Sequence, residues 1–205
     1  MSGYVGINLK DILSDETLGE SVAKDILSSF SCPQNPDVEK FLHNTAIEFT
    51  KQGISSTHLI MASYQGKYVL VGYFTLANKI FCINKDSLPN SRWRARMNKF
   101  GQFDKEIKRY TISAPLIGQL GKNFTNNYNL LITGDELLKL ALDKVSEIQY
   151  SMGGKIVYLE CEQKDRLIEF YSRNGFVNFG TRKLDRDETS SLSGEELVQM
   201  LRYMK

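Results

Sequence analysis

The chain has 205 residues, of which 41% are hydrophobic and 24% charged, which excludes a disordered or fibrous protein and favours one domain over residues 1–205. The formal net charge is only +2, so the molecule as a whole does not belong to the strongly basic nucleic-acid binders. No apolar run reaches the ~20 residues of a membrane-spanning helix, and three cysteines with two histidines are too few and too widely spaced for a disulfide framework or a metal site. We therefore expect a cytoplasmic protein with no metal, no membrane partner and no signal peptide.

The first half of the chain is predicted to contain two helices and a hairpin. Apolar residues at helical spacing predict a helix over residues 16–29 and a second over residues 37–51, capped by Asp37 and ended by Gly53. Two runs of β-branched and aromatic residues, 57–64 and 68–83, meet at "QGK" and predict an antiparallel hairpin. Within it, His58 is predicted to be packed or hydrogen-bonded rather than catalytic, and Cys82 to be buried.

A basic segment follows the hairpin and is predicted to be an insert at about residues 87–109, formed by a helix and a loop. Residues 92–109 hold seven cations and two carboxylates, a combination with interleaved aromatic residues that can bind phosphates and stack on bases. The nucleic-acid contacts predicted here are Arg92, Arg94, Arg96 and Lys99. The alternative is a solvated amphipathic helix that packs through Trp93, Met97 and Phe100, and both interpretations can hold together.

The second half alternates strands and helices. A strand is predicted over residues 110–120, distorted or splayed near Pro115, followed by a helix over 133–150, a buried strand over 155–161, a helix over 163–173 that ends at Gly175, and a strand over 176–184. Residues 197–204 fit a helix or a strand equally well. A strand, helix and strand after a hairpin predict a mixed α/β sheet with at least one parallel crossover.

Three strings in this order resemble the GNAT superfamily of acyl-CoA-dependent N-acetyltransferases: "FSCPQNPDVEKFLHNTA" (30–46), "LVGYFTLA" (70–77) and "LECEQKDRLIEFYSRNGF" (159–176). The third resembles the generic "FYxxxGF" end, and the first two resemble the branch of acetyltransferase toxins from bacterial toxin–antitoxin pairs. The resemblance implies a GNAT-like α/β fold, with a central, mostly antiparallel sheet that contains a splayed parallel strand pair and is flanked by helices. It also implies acetyl-CoA as co-substrate, the α-amine of an aminoacyl-tRNA as acceptor, an antitoxin partner and a homodimer.

The resemblance further implies which residues form the site. Tyr171 matches the general acid that returns a proton to the departing CoA thiolate. The positions that receive the pantetheine arm are Leu120, Gly121 and Lys122. The positions that hold the pyrophosphate are Asn129, Leu130, Leu131, Ile132, Thr133, Gly134 and Asp135, with Lys164 as a further phosphate contact. A helix N-terminus suits an anion there, because its N–H groups are unpaired and its dipole is positive.

Elementary chemistry agrees with part of this assignment and leaves alternatives open. A phenol with a pKa of about 10 keeps its proton at pH 7, whereas a thiol with a pKa of about 8.5 leaves readily as thiolate, yet Tyr171 beside Phe170 also fits a plain aromatic core. No dedicated base stands out, since Glu160 and Glu162 end an acid-rich strand, and this favours an α-amine over a lysine acceptor. Two other functions stay open: acetylation of a small amine or peptide N-terminus, and non-catalytic binding by a degenerate GNAT fold. The second follows from residues 129–136, which keep one glycine of the phosphate-binding pattern and add two carboxylates.

Overall fold

The computed structural model describes residues 3–184 and 195–205. The chain divides into two compact units, Met1–Ala77 with Gly118–Asp143 and Asn78–Ile117 with Lys144–Lys205. Three elements contribute residues to both units: strands β3 (Lys67–Asn84) and β5 (Arg109–Lys122), and helix α6 (Gly134–Met152).

The first unit begins with a short strand, β1 (Tyr4–Asn8), which pairs antiparallel with β2 (Ser56–Tyr64). Strand β2 in turn forms the predicted antiparallel hairpin with β3. The turn is made by Gln65 and Gly66, both at positive φ (51° and 77°), which is the backbone that a two-residue hairpin turn requires. Four helices complete this unit: α1 (Leu9–Ser14), α2 (Gly19–Ser28), α3 (Pro36–Asn44) and α4 (Ala46–Lys51).

The predicted helix over residues 37–51 differs from the structure in two respects. Its N-cap is Asn35, whose side chain accepts hydrogen bonds from the N–H groups of Asp37 and Val38, so the prediction that Asp37 caps it is wrong. Pro36 explains the shift, because proline at the first helical position leaves the preceding residue to cap. The helix is also divided at Thr45, whose φ of −122° is not helical.

Apolar side chains of these helices and strands form the core of the first unit. Leu9, Leu42, Leu59 and Tyr73 are fully buried in it. The Tyr73 hydroxyl donates to the carbonyl of Val38, so helix α3 is fixed to strand β3 by a buried hydrogen bond as well as by packing.

The second unit contains the remaining strands and helices. Strands β4 (Gln102–Asp104), β6 (Ile156–Glu162), β7 (Val177–Lys183) and β8 (Glu196–Tyr203) extend the sheet in the order β3, β5, β6, β8, β7, with β4 beside β5. Every pairing with a recorded register is antiparallel except that of β5 with β6. Helices α5 (Ser91–Phe100) and α7 (Asp165–Arg173) belong to this unit, and the predicted mixed α/β class with one parallel pair is confirmed.

Three parts of the second unit refine the sequence analysis. The tail is a strand, β8, which pairs antiparallel with both β6 and β7. Cys82 is exposed, so its predicted burial is wrong. Phe81 and Ile83 face the core, and the side chain of Cys82 between them faces solvent. Strand β4 lies inside the segment predicted to be a loop. Across the described residues we find no helix long and apolar enough to cross a membrane.

Candidate active site

Tyr171 lies in the last turn of α7, and the geometry of that helix end explains the string around it. The N–H of Phe176 donates to the carbonyl of Tyr171 at 3.1 Å, and the N–H of Gly175 donates to the carbonyl of Ser172 at 2.9 Å. This pair of bonds is a Schellman motif, which requires a positive φ at the residue after the cap and favours an apolar contact across it. Gly175 has a φ of 80°, and the rings of Tyr171 and Phe176 meet edge to face with centroids 5.8 Å apart.

The side chain of Tyr171 is largely buried, and its hydroxyl makes no hydrogen bond with any other described residue. That hydroxyl is not among the buried polar atoms without a partner, so it is accessible at the surface of the site. Burial of the ring raises the pKa of Tyr171 well above its ordinary value, and the nearby thiol of Cys161 raises it further. The phenol is therefore protonated at neutral pH, and its hydroxyl is available to a bound molecule.

Cys161 does not supply a competing nucleophile. Burial, followed by the charge of Glu162, raises the pKa of its thiol to about 11. Because the thiolate is the reactive form of cysteine, this side chain is inert at neutral pH.

The two carboxylates proposed as bases are both engaged. The Oε2 atom of Glu160 accepts from Nε and Nη2 of Arg182 at 2.8 and 2.7 Å, and its Oε1 accepts from Gln199 at 2.8 Å. Glu162 is buried and its Oε2 lies 2.7 Å from the ammonium of Lys164. Both carboxylates are held in salt bridges, so neither is arranged as a free base. Lys164, at the N-cap position of α7, is half exposed and has three N–H donors, so it can contact a phosphate while it holds Glu162.

The parallel pairing of β5 with β6 is short. It joins Leu116 to Tyr158 and Ile117 to Leu159, and it begins directly after Pro115, which has no N–H to donate. Beyond Leu159, strand β6 continues to Glu162 with partners in β8. The predicted splay near Pro115 therefore corresponds to a ladder that stops after two residue pairs.

The predicted pantetheine-binding residues form the end of β5 in the first unit. Gly121 is tightly packed, since a Cβ atom there would lie 2.4 Å from Cγ1 of Val38. The ammonium of Lys122 donates to the carbonyl of Asn129 at 2.9 Å, while Leu120 is half-buried. Only glycine fits position 121, because any side chain there would collide with Val38 of α3.

The predicted pyrophosphate segment is anchored through its carbonyl groups. Lys122 holds the carbonyl of Asn129, and the Tyr4 hydroxyl donates to the carbonyl of Leu131 at 2.9 Å. Each peptide here is trans, so the N–H of the following residue points the opposite way. The N–H groups of Leu130 and Ile132 therefore point away from these anchors.

The start of α6 is closed by a capping box. The Thr133 hydroxyl accepts from the N–H of Glu136 at 3.1 Å, and Oε2 of Glu136 accepts from the N–H and hydroxyl of Thr133 at 2.8 and 2.7 Å. These bonds lower the pKa of Glu136, so its negative charge remains at the helix N-terminus. A phosphate must compete with this carboxylate, and with exposed Asp135, for that end of α6. The side chain of Ile132 is buried and does not obstruct the loop.

No protein-family model and no curated protein matches the chain, but solved structures match nearly all of it. AtaT complexed with acetyl-methionyl-tRNAfMet has a TM-score of 0.60 at 16% identity, over 95% of this chain and 93% of that one. A mutant of KacT has a TM-score of 0.60 at 15% identity, over 96% and 94% of the two chains. AtaTR bound with acetyl-CoA has a TM-score of 0.56 at 16% identity, over 97% and 94%.

The chain has the GNAT-like fold of these structures. Identities near 16% establish this likeness for the fold, as the three motifs predicted, and leave the chemistry to the side chains of the chain itself.

In this GNAT-fold chain, the basic segment is mostly helix α5. Asn90 caps it by accepting from the N–H of Trp93, and Trp93 and Met97 are buried as the amphipathic interpretation predicts. The Arg96 guanidinium stacks between Trp93 and Tyr203, 4.7 and 4.0 Å from their ring centroids. Of the four predicted contacts, Arg92 and Lys99 are exposed, whereas Arg94 and Arg96 are half-buried.

Two structural residues near the site were missed in the sequence. Tyr4 belongs to a strand too short to predict. Asn123 is fully buried and bonds four backbone groups: its amide donates to the carbonyls of Ser29 and Leu70, and its carbonyl accepts from the N–H groups of Ser31 and Thr125. Glu136 could have been found, because Thr133 followed three residues later by glutamate is the capping-box signature.

Among residues 3–184 and 195–205, no cluster of three or more His, Cys, Asp or Glu side chains is arranged to hold a metal.

Proposed function

We propose that the protein transfers an acetyl group from acetyl-CoA to a primary amine, with Tyr171 as general acid. The observation that carries the proposal is the Tyr171 hydroxyl, which is protonated, is accessible from a largely buried ring, and makes no hydrogen bond with another described residue. The fold likeness supports it, because one solved neighbour is complexed with acetyl-methionyl-tRNAfMet and another is bound with acetyl-CoA.

In the proposed reaction a neutral amine attacks the thioester carbonyl. The new C–N bond forms, the C–S bond breaks, and the CoA sulfur leaves as thiolate. Tyr171 donates its proton to that sulfur, the amine nitrogen loses one proton to solvent, and solvent returns a proton to the tyrosinate. Burial makes Tyr171 a weaker acid than in water, but it also strengthens the hydrogen bond from the phenol to a thiolate in the same dry site.

We assign acetyl-CoA to the residues that the motifs indicated. Leu120, Gly121 and Lys122 receive the pantetheine arm, and residues 129–135 with Lys164 receive the phosphates. The place of these residues at the end of β5 and before α6 supports this assignment, while Glu136 opposes it.

As acceptor we propose the α-amine of an aminoacyl-tRNA. An α-amine has a pKa of about 7.7 to 8.0 and is partly neutral at pH 7, whereas a lysine amine at about 10.4 needs a base. Both candidate carboxylates, Glu160 and Glu162, are held by cations, so an acceptor that needs no base fits better. The proposal treats residues 1–205 as one acetyltransferase domain that forms a homodimer and is bound by an antitoxin; AtaT has been solved with the C-terminus of the antitoxin AtaR.

A non-catalytic binding fold is the second candidate, and the capping box favours it because Glu136 occupies the end of α6 where phosphate should bind. Titration calorimetry with acetyl-CoA separates the two functions. We expect binding at micromolar concentrations, and heat indistinguishable from dilution at hundreds of micromolar would exclude the enzyme. Incubation with labelled acetyl-CoA and charged tRNA, or with small amines and peptides instead, then identifies the acceptor by mass spectrometry.

A further inference from the structure

Helix α5 (Ser91–Phe100) carries four cations and no carboxylate. Within the described part of the chain, none of the four forms a salt bridge. Other cations of the protein are paired, as Lys24 is with Glu20 and Lys139 with Asp143. The outer face of α5 is therefore a local positive surface on a protein whose net charge is only +2.

Two of the four cations, Arg92 and Lys99, are available to a ligand. Arg92 and Lys99 are exposed and lie seven residues apart, which places them on one face of the helix about 10 Å apart along its axis. Arg94 is half-buried, and its Nε is a buried donor without a hydrogen-bond partner. Arg96 differs from these, because its stacking on Trp93 and Tyr203 gives it a structural role.

The position of these cations is unfavourable to the isolated helix. Arg92 and Arg94 lie in the first turn of α5, where no acidic residue is present and where the positive end of the helix dipole disfavours cations. An anion bound over this turn would relieve the repulsion.

We propose that the outer face of α5, formed by Arg92 and Lys99, binds the phosphate backbone of the tRNA that serves as acceptor. This inference rests on the proposed function for the identity of the acceptor. It also adds to that function a surface in the second unit that holds the body of the substrate rather than its reacting amine.

Phosphate contacts suffice here without base stacking. The aromatic residues of this segment face inward: Trp93 and Tyr110 are buried, and Phe103 packs on Tyr110 with ring centroids 4.6 Å apart. A membrane surface fits less well, because the apolar face of α5 is already in the core and no large apolar side chain of this helix is exposed. Binding through phosphates alone predicts weak sequence preference and strong salt dependence.

Fluorescence anisotropy with a labelled tRNA, at 50 and 200 mM salt and without acetyl-CoA, tests the proposal. Each phosphate contact changes the logarithmic salt slope by about 0.7 to 0.9. Between 50 and 200 mM salt, the affinity of the wild type and of the double variant Arg92→Gln with Lys99→Gln should both fall. The factor by which it falls should be about ten times smaller for the double variant. The matched control, Lys24→Gln with Lys139→Gln, removes the same charge from salt-bridged positions of the first unit and should keep the wild-type slope.

Two results would overturn the inference: a control that weakens binding as much as the α5 variant, or an α5 variant that keeps the wild-type salt slope. Wild-type protein that binds acetyl-CoA in the calorimeter but not tRNA would refute the α5 surface and leave the enzyme intact. Binding to tRNA with the α5 dependence but without acetyl-CoA binding would refute the enzyme and leave the surface.

Discussion

Replacing Tyr171 by phenylalanine removes one hydroxyl and little else. The ring keeps its edge-to-face contacts with Phe170 and Phe176, at centroid distances of 5.0 and 5.8 Å. The backbone bonds that end α7 do not involve the side chain. Since no described residue loses a hydrogen-bond partner, the free energy of unfolding should change by less than about 1 kcal/mol.

The effect on turnover should be larger. General acids contribute about 10²- to 10⁴-fold in rate, but a thiolate whose thiol has a pKa of about 8.5 is a tolerable leaving group without help. We therefore expect a loss at the low end, at least about tenfold in kcat, which corresponds to about 1.4 kcal/mol in the activation barrier. Affinity for acetyl-CoA should stay close to that of the wild type, because the hydroxyl contributes mainly after the C–S bond begins to break.

Release of free CoA thiol, followed with a thiol-reactive dye at saturating acceptor, measures this loss, and calorimetry measures affinity. Tyr158→Phe is the matched control, because Tyr158 is a buried tyrosine of the same unit whose pKa burial also raises. Its turnover should remain within about twofold of the wild type. A Tyr171→Phe enzyme as active as this control would show that Tyr171 is only a core aromatic.

Three further changes test the first unit and the acceptor. Glu136→Gln should tighten acetyl-CoA binding by about fivefold in the calorimeter, because about 1 kcal/mol of repulsion between surface charges is removed; Asp143→Asn on the same helix should not. Gly121→Ala should lower the free energy of unfolding in urea by about 1 to 3 kcal/mol through overpacking against Val38, and Val38→Ala should restore part of it; an unchanged midpoint would contradict the packing. For an α-amine acceptor, kcat/KM should rise about tenfold per pH unit and level off near pH 8, whereas a lysine acceptor would keep gaining to about pH 10.

The pKa shift of Glu136 also predicts how the variant Glu136→Gln changes stability with pH. Its pKa is lowered in the folded state by the bonds from Thr133, so its capping contribution is present above the unfolded pKa of about 4.3 and is lost as the pH falls through the folded value. Thermal melts of the wild type and Glu136→Gln should therefore converge below about pH 4. Curves that stay equally far apart at pH 3 would show that the carboxylate does not cap the helix as a charged group.

The elements that the sequence predicts well are those with a local signal. The hairpin has a short glycine-containing turn, Gln65 and Gly66, between two runs of β-branched and aromatic residues. Helices α6 and α7 have apolar residues at helical spacing, and each is followed by glycine. Strand β1 was missed because it is five residues long and its partner β2 lies some fifty residues away. The break at Thr45 and the exposure of Cys82 likewise depend on what packs against each face, which no local pattern contains.

The residues of the candidate site also fall into two groups, those with a local signal in the sequence and those placed only by the fold. The helix end that holds Tyr171 could be predicted, because it belongs to a string with fixed spacing, whereas the phosphate-binding role of residues 129–135 stays a prediction. Tyr4, Lys122 and Asn123 act through backbone carbonyl and N–H groups brought together by the fold. A polar side chain that bonds distant backbone has no sequence signature, so a fully buried asparagine such as Asn123 is indistinguishable in the sequence from a solvated loop residue.

The Schellman motif limits what the string around Tyr171 can prove about function. Gly175 is required by its positive φ and Phe176 by its contact with the Tyr171 ring, so a purely structural helix end would select the same spacing of aromatic, glycine and aromatic. The aromatic at position 171 is thus explained by packing, but the hydroxyl is not, because phenylalanine would fill the same space. The hydroxyl is accessible and has no hydrogen-bond partner among the described residues, so it adds nothing to the packing and remains available to a bound molecule. It is this hydroxyl, more than the motif, that supports a general acid at Tyr171.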